Sequence, residues 1–228
     1  MSKFVKDEFL SSILNKTCYC VFCFDGVCQL PDDCEFAFVK TPQRAFSTML
    51  IEAGFKKIET TVNLSLSVNK IGVEKNYNRA IHAKSEDAAA LKKLAKKLFV
   101  HDRWHEDPNI DDEIAQKLKE CWIENYFLGT RGDICIVIKC DTKIAGFLLL
   151  IKKSSSFKID LIGVDSDFQN LGIGRQLISE ISHFIDDVSF KLEVTTQLKN
   201  SRALGFYNSL GFQPQSYFET WHFHKHNS

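Results

Sequence analysis

Gln169, Gly172 and Gly174 stand in the spacing Q-x-x-G-x-G. They lie between a β-branched apolar run (Ile159, Leu161, Ile162, Val164) and apolar residues at helical intervals (Leu177, Ile178, Ile181, Ile185). A strand that turns into a helix leaves the first helical N–H groups unpaired and partly positive, which suits a phosphate. The glycines lack Cβ, so a pyrophosphate can approach the backbone closely. The loop Gln169, Asn170, Leu171, Gly172, Ile173, Gly174, Arg175 therefore reads as an anion seat, although an ordinary strand-to-helix turn can carry the same glycines. A second chemically rich stretch, His101 to Asn109, packs three aromatic or imidazole rings, one arginine and three acids into nine residues. It fits no amphipathic pattern, and polar-aromatic loops of this kind are where ligand contacts concentrate.

Sixteen residues after the glycine loop, a strand from Lys191 to Thr196 leads into Asn200, Ala203, Phe206, Tyr207, Gly211 and Phe212, the pattern N-x-x-A-x-x-F-Y-x-x-x-G-F. With V-D-x-x-x-Q-x-x-G-x-G from Val164 to Gly174, this pair of motifs resembles the GNAT superfamily of acyl-CoA-dependent N-acyltransferases. The resemblance covers roughly residues 78–228. It implies an α/β (α+β) GNAT fold around a mixed, mainly antiparallel sheet, with acetyl-CoA as co-substrate and no metal. It also implies that Ile162, Gly163 and Val164 offer a strand edge to the pantetheine arm and that Asn200 faces the cofactor. Tyr207 falls on the family tyrosine, and a phenol of pKa near 10 is a competent donor to a leaving thiolate. The attacking amine must lose a proton, for which Asp160 is a candidate base, since alternation puts it on the face of Ile162 and Val164.

A narrower resemblance, to dTDP-fucosamine acetyltransferases of the WecD type, extends over nearly the whole chain. It rests on Arg103-Trp104-His105, Trp122 to Asn125 with Gly129 after it, and Val194 to Gln197 followed by Asn200. That resemblance implies a nucleotide amino sugar as acceptor, acetylated in a ternary complex for surface polysaccharide synthesis. Arg103 would pair with a phosphate, Trp104 or Trp122 would stack on a base or sugar, and Gln197 or Asn125 would read hydroxyls, with His105 in the same loop. Two alternatives remain open: another amine (a peptide N-terminus, a polyamine or an aminoglycoside), or a non-catalytic acyl-CoA-binding module.

The rest of the chain must position these groups. With 228 residues, 44% hydrophobic, it can bury a sizeable core. Lys plus Arg and Asp plus Glu are both 29, so bulk charge does not call for nucleic acid. No apolar run approaches the roughly 20 residues of a membrane span, and the charged N-terminus lacks a signal-peptide core. A cytoplasmic enzyme, monomeric or homodimeric, is expected. Cys18, Cys20, Cys23, Cys28 and Cys34 cluster near the N-terminus; they are expected as reduced, buried thiols rather than zinc ligands. His222, His224 and His226 alternate on the last strand without an evident further ligand.

Two units are expected, a small αβ supporting domain over 1–72 and a GNAT domain over 73–228. The first resembles a degenerate half-GNAT, because Arg44-Ala-Phe46 followed by Ala53-Gly-Phe55 parallels Arg202-Ala-Leu204 followed by Leu210-Gly-Phe212. It lacks a glycine loop, so structural support is its expected role. Thr41 and Pro42 are expected to open its helix and Gly54 to close it.

Overall fold

The computed structural model describes residues 3–22, 26, 29–67, 80–185 and 190–225. Its strands are β1 (Lys3–Lys6), β2 (Cys18–Phe22), β3 (Phe36–Pro42), β4 (Lys56–Ser67), β5 (Ile81–His82), β6 (Ile134–Cys140), β7 (Lys143–Lys152), β8 (Ser156–Val164), β9 (Lys191–Gln197) and β10 (Gln213–His224). They form one sheet in the order β1-β2-β3-β10-β4-β9-β8-β7-β6-β5. Only β2–β3 and β8–β9 pair in parallel, giving the mixed, mainly antiparallel sheet expected. The helices are α1 (Glu8–Leu14), α2 (Ser47–Glu52), α3 (Ala88–Leu98), α4 (Arg103–Glu106), α5 (Asp112–Phe127), α6 (Ile173–Ser179) and α7 (Ser201–Ser209).

The central strand β7 is apolar on both sides because both of its faces are covered. Leu148 and Leu150 pack with Leu177, Ile178 and Phe212 under α6 and α7, while Phe147 and Leu149 pack with Leu91, Leu94 and Ile123 under α3 and α5. Gly163 is required by this closeness: a Cβ there would lie 2.7 Å from Leu98 and 2.8 Å from Phe147.

The expected boundary between the two units falls at residues outside those described. The described parts share one sheet, because the C-terminal β10 lies between β3 and β4 and pairs antiparallel with both. The paired helix-turn-strand units read in the sequence are present as α2–β4 and α7–β10. Gly54 and Gly211 have φ of +83° and +88°. The Phe55 N–H donates to Leu50 O (2.8 Å) and the Phe212 N–H to Tyr207 O (3.1 Å). The start of α2 needs correction: Thr41 and Pro42 belong to β3, where Pro42 pairs with Phe218, and the helix begins at Ser47. Strand pairing that is remote in sequence overrides the local cap signal. The stretch from His101 to Asn109 also contains a helical turn, α4, whose first N–H groups at Trp104 and His105 donate to Asp102.

Candidate active site

Sheet pairing creates the cleft. β8 and β9 are hydrogen-bonded only from Ser156 to Ile159 and from Lys191 to Val194. Against β7, Leu161 aligns with Leu149 and Ile159 with Leu150, so Asp160 is the extra residue of a bulge. A bulge bends its strand and increases the twist. Beyond it, the edge of β8 from Ile162 to Val164 turns away from β9 with no strand partner, which is the free edge a peptide-like arm can join. The gap opens into a cleft of about 980 Å³.

One half of the cleft ends at the glycine loop. Asn170 and Gly172 have positive φ (+63° and +78°), and Gln169 braces the turn: its Nε2 donates to Val164 O (3.2 Å) and its Oε1 accepts from Arg202 (2.7 Å). The backbone N–H groups of Gly172 and Gly174 donate to nothing among the described residues, and with the start of α6 they face the cleft. A Cβ on Gly174 would meet the Phe206 ring at 3.2 Å, whereas one on Gly172 would project into open space. Asn200 caps α7 through Ala203 (3.0 Å) and lines the cleft. Tyr207 is buried between Phe206 and Phe212, with ring centroids 5.2 Å from each. Its hydroxyl has no partner among the described residues, and burial pushes its pKa up. It is therefore a proton donor throughout the neutral range.

The other half is built on the opposite face of the sheet. Here the sequence expectation for Asp160 is corrected. The bulge turns its carboxylate away from the face of Ile162 and Val164, toward α5. There Oδ2 accepts from Arg131 Nε (2.8 Å) and Tyr126 OH (3.1 Å), and Oδ1 accepts from Arg131 Nη2 (2.9 Å). A carboxylate chelated by a guanidinium is a poor base, because protonating it breaks the pair. Asp160 instead anchors Arg131, which lies 4.3 Å over the Trp122 ring. Lys119 lies 4.1 Å over the same ring and pairs with Asp102. Burial alone would raise the Asp102 pKa, but Lys119 and His105 outweigh it and hold the carboxyl below its usual range.

Arg103 is stacked between Phe38 and Trp104, 4.1 Å from each ring, and forms no ion pair among the described residues. Burial lowers its pKa to about 10, so it stays charged at neutral pH. Lys40 keeps an exposed side chain, and partial desolvation with Lys158 beside it lowers its pKa; Lys158, half-buried, is itself lowered by burial. Neither lysine has an ion-pair partner among the described residues. Two ion pairs thus cancel within the cleft, which leaves Lys40, Arg103, Lys158 and the Glu59 carboxylate lining it outside those pairs.

Most residues singled out in the sequence line this one space, including Arg103, Trp104, Trp122 and Gln197. Three do not. Leu171 points to solvent. His105 is tied to Asp102 by Nδ1 (3.1 Å) beneath the wall. Asn125 uses its carbonyl to hold the turn before Arg131, accepting from Thr130 (2.9 Å) and Arg131 (3.1 Å). The stacking roles of the tryptophans also change: Trp104 is 1% exposed, and Trp122 already carries two cations. The sequence reading missed Phe38, Lys40, Glu59 and Lys158. Period-two polar positions within otherwise apolar strands were the available signal, and the N-terminal segment, expected only to support, supplies one wall of the cleft.

Beneath that wall, Asp107 Oδ2 accepts from His222 Nδ1 (2.6 Å) and His224 Nε2 (2.7 Å), partners the histidine pattern alone did not reveal. These separations are those of hydrogen bonds, shorter than the roughly 3.3 Å between ligands that zinc bonds of about 2.0–2.1 Å impose. His226, Cys23 and Cys28 lie outside the described residues; Cys18, Cys20 and Cys34 are buried and in no disulfide. Burial pushes His222 down to about 4 against the pull of Asp107. Below its unfolded pKa of about 6.5 the unfolded chain takes up a proton that the folded chain refuses. Stability should therefore fall between pH 6.5 and 4, by at most about 3 kcal/mol from this group. Urea unfolding at pH 7 and pH 4.5 should show the loss, and His222→Gln should flatten it.

Comparison with known proteins agrees with this geometry. Residues 131–214, spanning β6 to the start of β10, match the acetyltransferase (GNAT) domain. The chain is 26% identical over 139 residues to the spore coat polysaccharide biosynthesis protein SpsD of Bacillus subtilis, covering 59% of this chain and 48% of that protein. The chain thus spans about half the length of that relative. Among solved structures, a tandem GNAT protein from the clavulanic acid biosynthesis pathway superposes with a TM-score of 0.62 at 12% identity, over 86% of this chain and 66% of that one. The N-alpha-acetyltransferase RimI of Mycobacterium tuberculosis is 31% identical over 128 residues, 56% of this chain and 73% of that one. With a relative covered to that extent and the splayed β8–β9 pair leading into a glycine loop, the chain belongs to the GNAT acetyltransferase family.

Proposed function

We propose that the protein moves the acetyl group of acetyl-CoA onto the primary amine of an anionic small molecule, the 4-amino group of a nucleotide-linked 4-amino-4,6-dideoxy sugar. The observation that carries the acceptor class is Arg103, a half-buried side chain whose guanidinium lies between two rings and has no hydrogen-bond acceptor or ion pair among the described residues, beside Lys40 and Lys158, which form no ion pair there either. A charge partly withdrawn from water gains from an opposite charge, and a guanidinium fork matches phosphate oxygens. The diphosphate of a nucleotide sugar supplies the missing anion. Similarity to a spore coat polysaccharide biosynthesis protein supports the same reading.

The pantetheine amides pair with the free edge from Ile162 to Val164, and the pyrophosphate takes the loop N–H groups around Gly172 and Gly174. The amine attacks the thioester carbon directly in the ternary complex. A β8 backbone N–H stabilises the oxyanion, and Tyr207 protonates the departing sulfur.

Likeness to an N-alpha-acetyltransferase favours a second reading, a peptide N-terminus as acceptor. Polyamines and aminoglycosides meet like charge in this cleft. Retention of Tyr207 argues against a non-catalytic module. A thiol-release assay with acetyl-CoA against dTDP- and UDP-linked 4-amino-4,6-dideoxy sugars, a polyamine, an aminoglycoside and a peptide amine separates these readings. Turnover confined to a nucleotide amino sugar is expected; turnover confined to the peptide would replace this reading with the second.

A further inference from the structure

We infer that Glu59, on β4, is the group that takes the proton from the acceptor amine. The inference rests on acetyl transfer to an amine, though not on the acceptor being a sugar. Three carboxylates line the cleft, Glu59, Asp102 and Asp160, and no histidine does. Asp160 is chelated by Arg131 and Asp102 is paired with Lys119, so protonating either would break an ion pair. Glu59 is held only by neutral donors at long range: Oε1 accepts from Thr220 Oγ1 (3.4 Å) and Oε2 from Gln197 Nε2 (3.3 Å). A carboxylate accepts about four hydrogen bonds, so each oxygen retains capacity for an amine or an intervening water.

Its position follows from the register. Thr220 pairs with Lys40 on one side and with Glu59 on the other, so Lys40, Thr220 and Glu59 form a row across three strands. Gln197, at the end of β9 opposite Thr61, reaches Glu59 through its side chain at the mouth of the gap between β8 and β9. The charged groups that act on Glu59 are Lys40 from β3 and Arg103 from α4, with Lys158 from β8 in the same cleft, and its hydrogen-bond partners are the neutral Thr220 and Gln197. Cations around an incoming ammonium disfavour its charged form, so the amine arrives ready to attack, and the proton shed on attack goes to the cleft carboxylate that is in no ion pair among the described residues.

The step balances. The nitrogen lone pair forms the C–N bond and the C–S bond breaks. The proton leaving nitrogen goes to Glu59 and then to water, while sulfur receives the Tyr207 proton, which solvent replaces. Lys40, with its lowered pKa, is the competing base.

The test compares wild type, Glu59→Gln, Glu59→Asp and Lys40→Met on whichever amine of the panel wild type acetylates. If that amine is the peptide, the sugar reading falls and the Glu59 comparison is still decisive. Loss of about 10²-fold in kcat for Glu59→Gln is expected, with acetyl-CoA KM unchanged, the acidic fall of kcat/KM against pH abolished, and partial rescue in Glu59→Asp. Unchanged kcat in Glu59→Gln would overturn the assignment. So would a kcat loss with the acidic limb intact, or an acidic limb that disappears in Lys40→Met instead. Should Glu59→Gln fail to fold, Glu59→Asp carries the same comparison, with an altered pH profile expected and a wild-type one overturning it.

Discussion

Tyr207→Phe should lower kcat by about 10²–10⁴-fold, the range for loss of a general acid, while leaving acetyl-CoA KM within about twofold. The ring contributes packing through its contacts with Phe206 and Phe212, and phenylalanine keeps them. The hydroxyl contributes no protein hydrogen bond among the described residues, so its removal strands no partner. Thermal stability should therefore hardly move. This separation makes the variant informative: a fall in kcat at constant stability and constant KM isolates proton donation to sulfur. Burial holds the hydroxyl protonated well above neutrality, so the wild-type profile should show no alkaline loss from this group up to about pH 10. Steady-state kinetics with thiol detection checks both statements, and an unchanged kcat would remove Tyr207 from the mechanism.

Arg103→Met should raise acceptor KM by about 30-fold or more, since truncating a partly desolvated charge that pairs with an anion costs about 2 kcal/mol or more. Methionine keeps the apolar bulk between Phe38 and Trp104, so the wall should stand. Arg103→Lys should rescue poorly, because a lysine is a point charge that neither forks onto two oxygens nor stacks flat between rings. Acetyl-CoA KM should stay unchanged in both, since Arg103 lies on the face of the sheet away from the glycine loop. Equal KM for the acceptor in wild type and Arg103→Met would show that no acceptor anion sits on this guanidinium, and the nucleotide-sugar reading would lose its support.

The coenzyme half of the site was legible because its chemistry is local. The loop from Gln169 to Gly174 and the segment from Asn200 to Phe212 each fold from contiguous residues, and each carries its own turn signals. Their backbone donors follow from the order of strand, glycine turn and helix. The acceptor half was legible only as residue types. Arg103 and Trp122 were singled out and do line the cleft, but the cations over Trp122, the burial of Trp104 and the entire wall of Phe38, Lys40 and Glu59 come from strands far apart in sequence. Alternation placed Asp160 on the wrong face because strand periodicity assumes an unbroken ladder, and one bulge shifts every side chain before it relative to those after.

The sequence by itself determined the family, the strand-to-helix glycine turn and the position of the tyrosine, since each is written in short-range spacing that backbone geometry must obey. Tertiary structure alone decided that β10 lies between β3 and β4, that Asp107 meets His222 and His224, and which carboxylate in the cleft forms no ion pair among the described residues. Those outcomes depend on pairing between distant strands, where register sets which side chains meet and burial sets which charges must be paired.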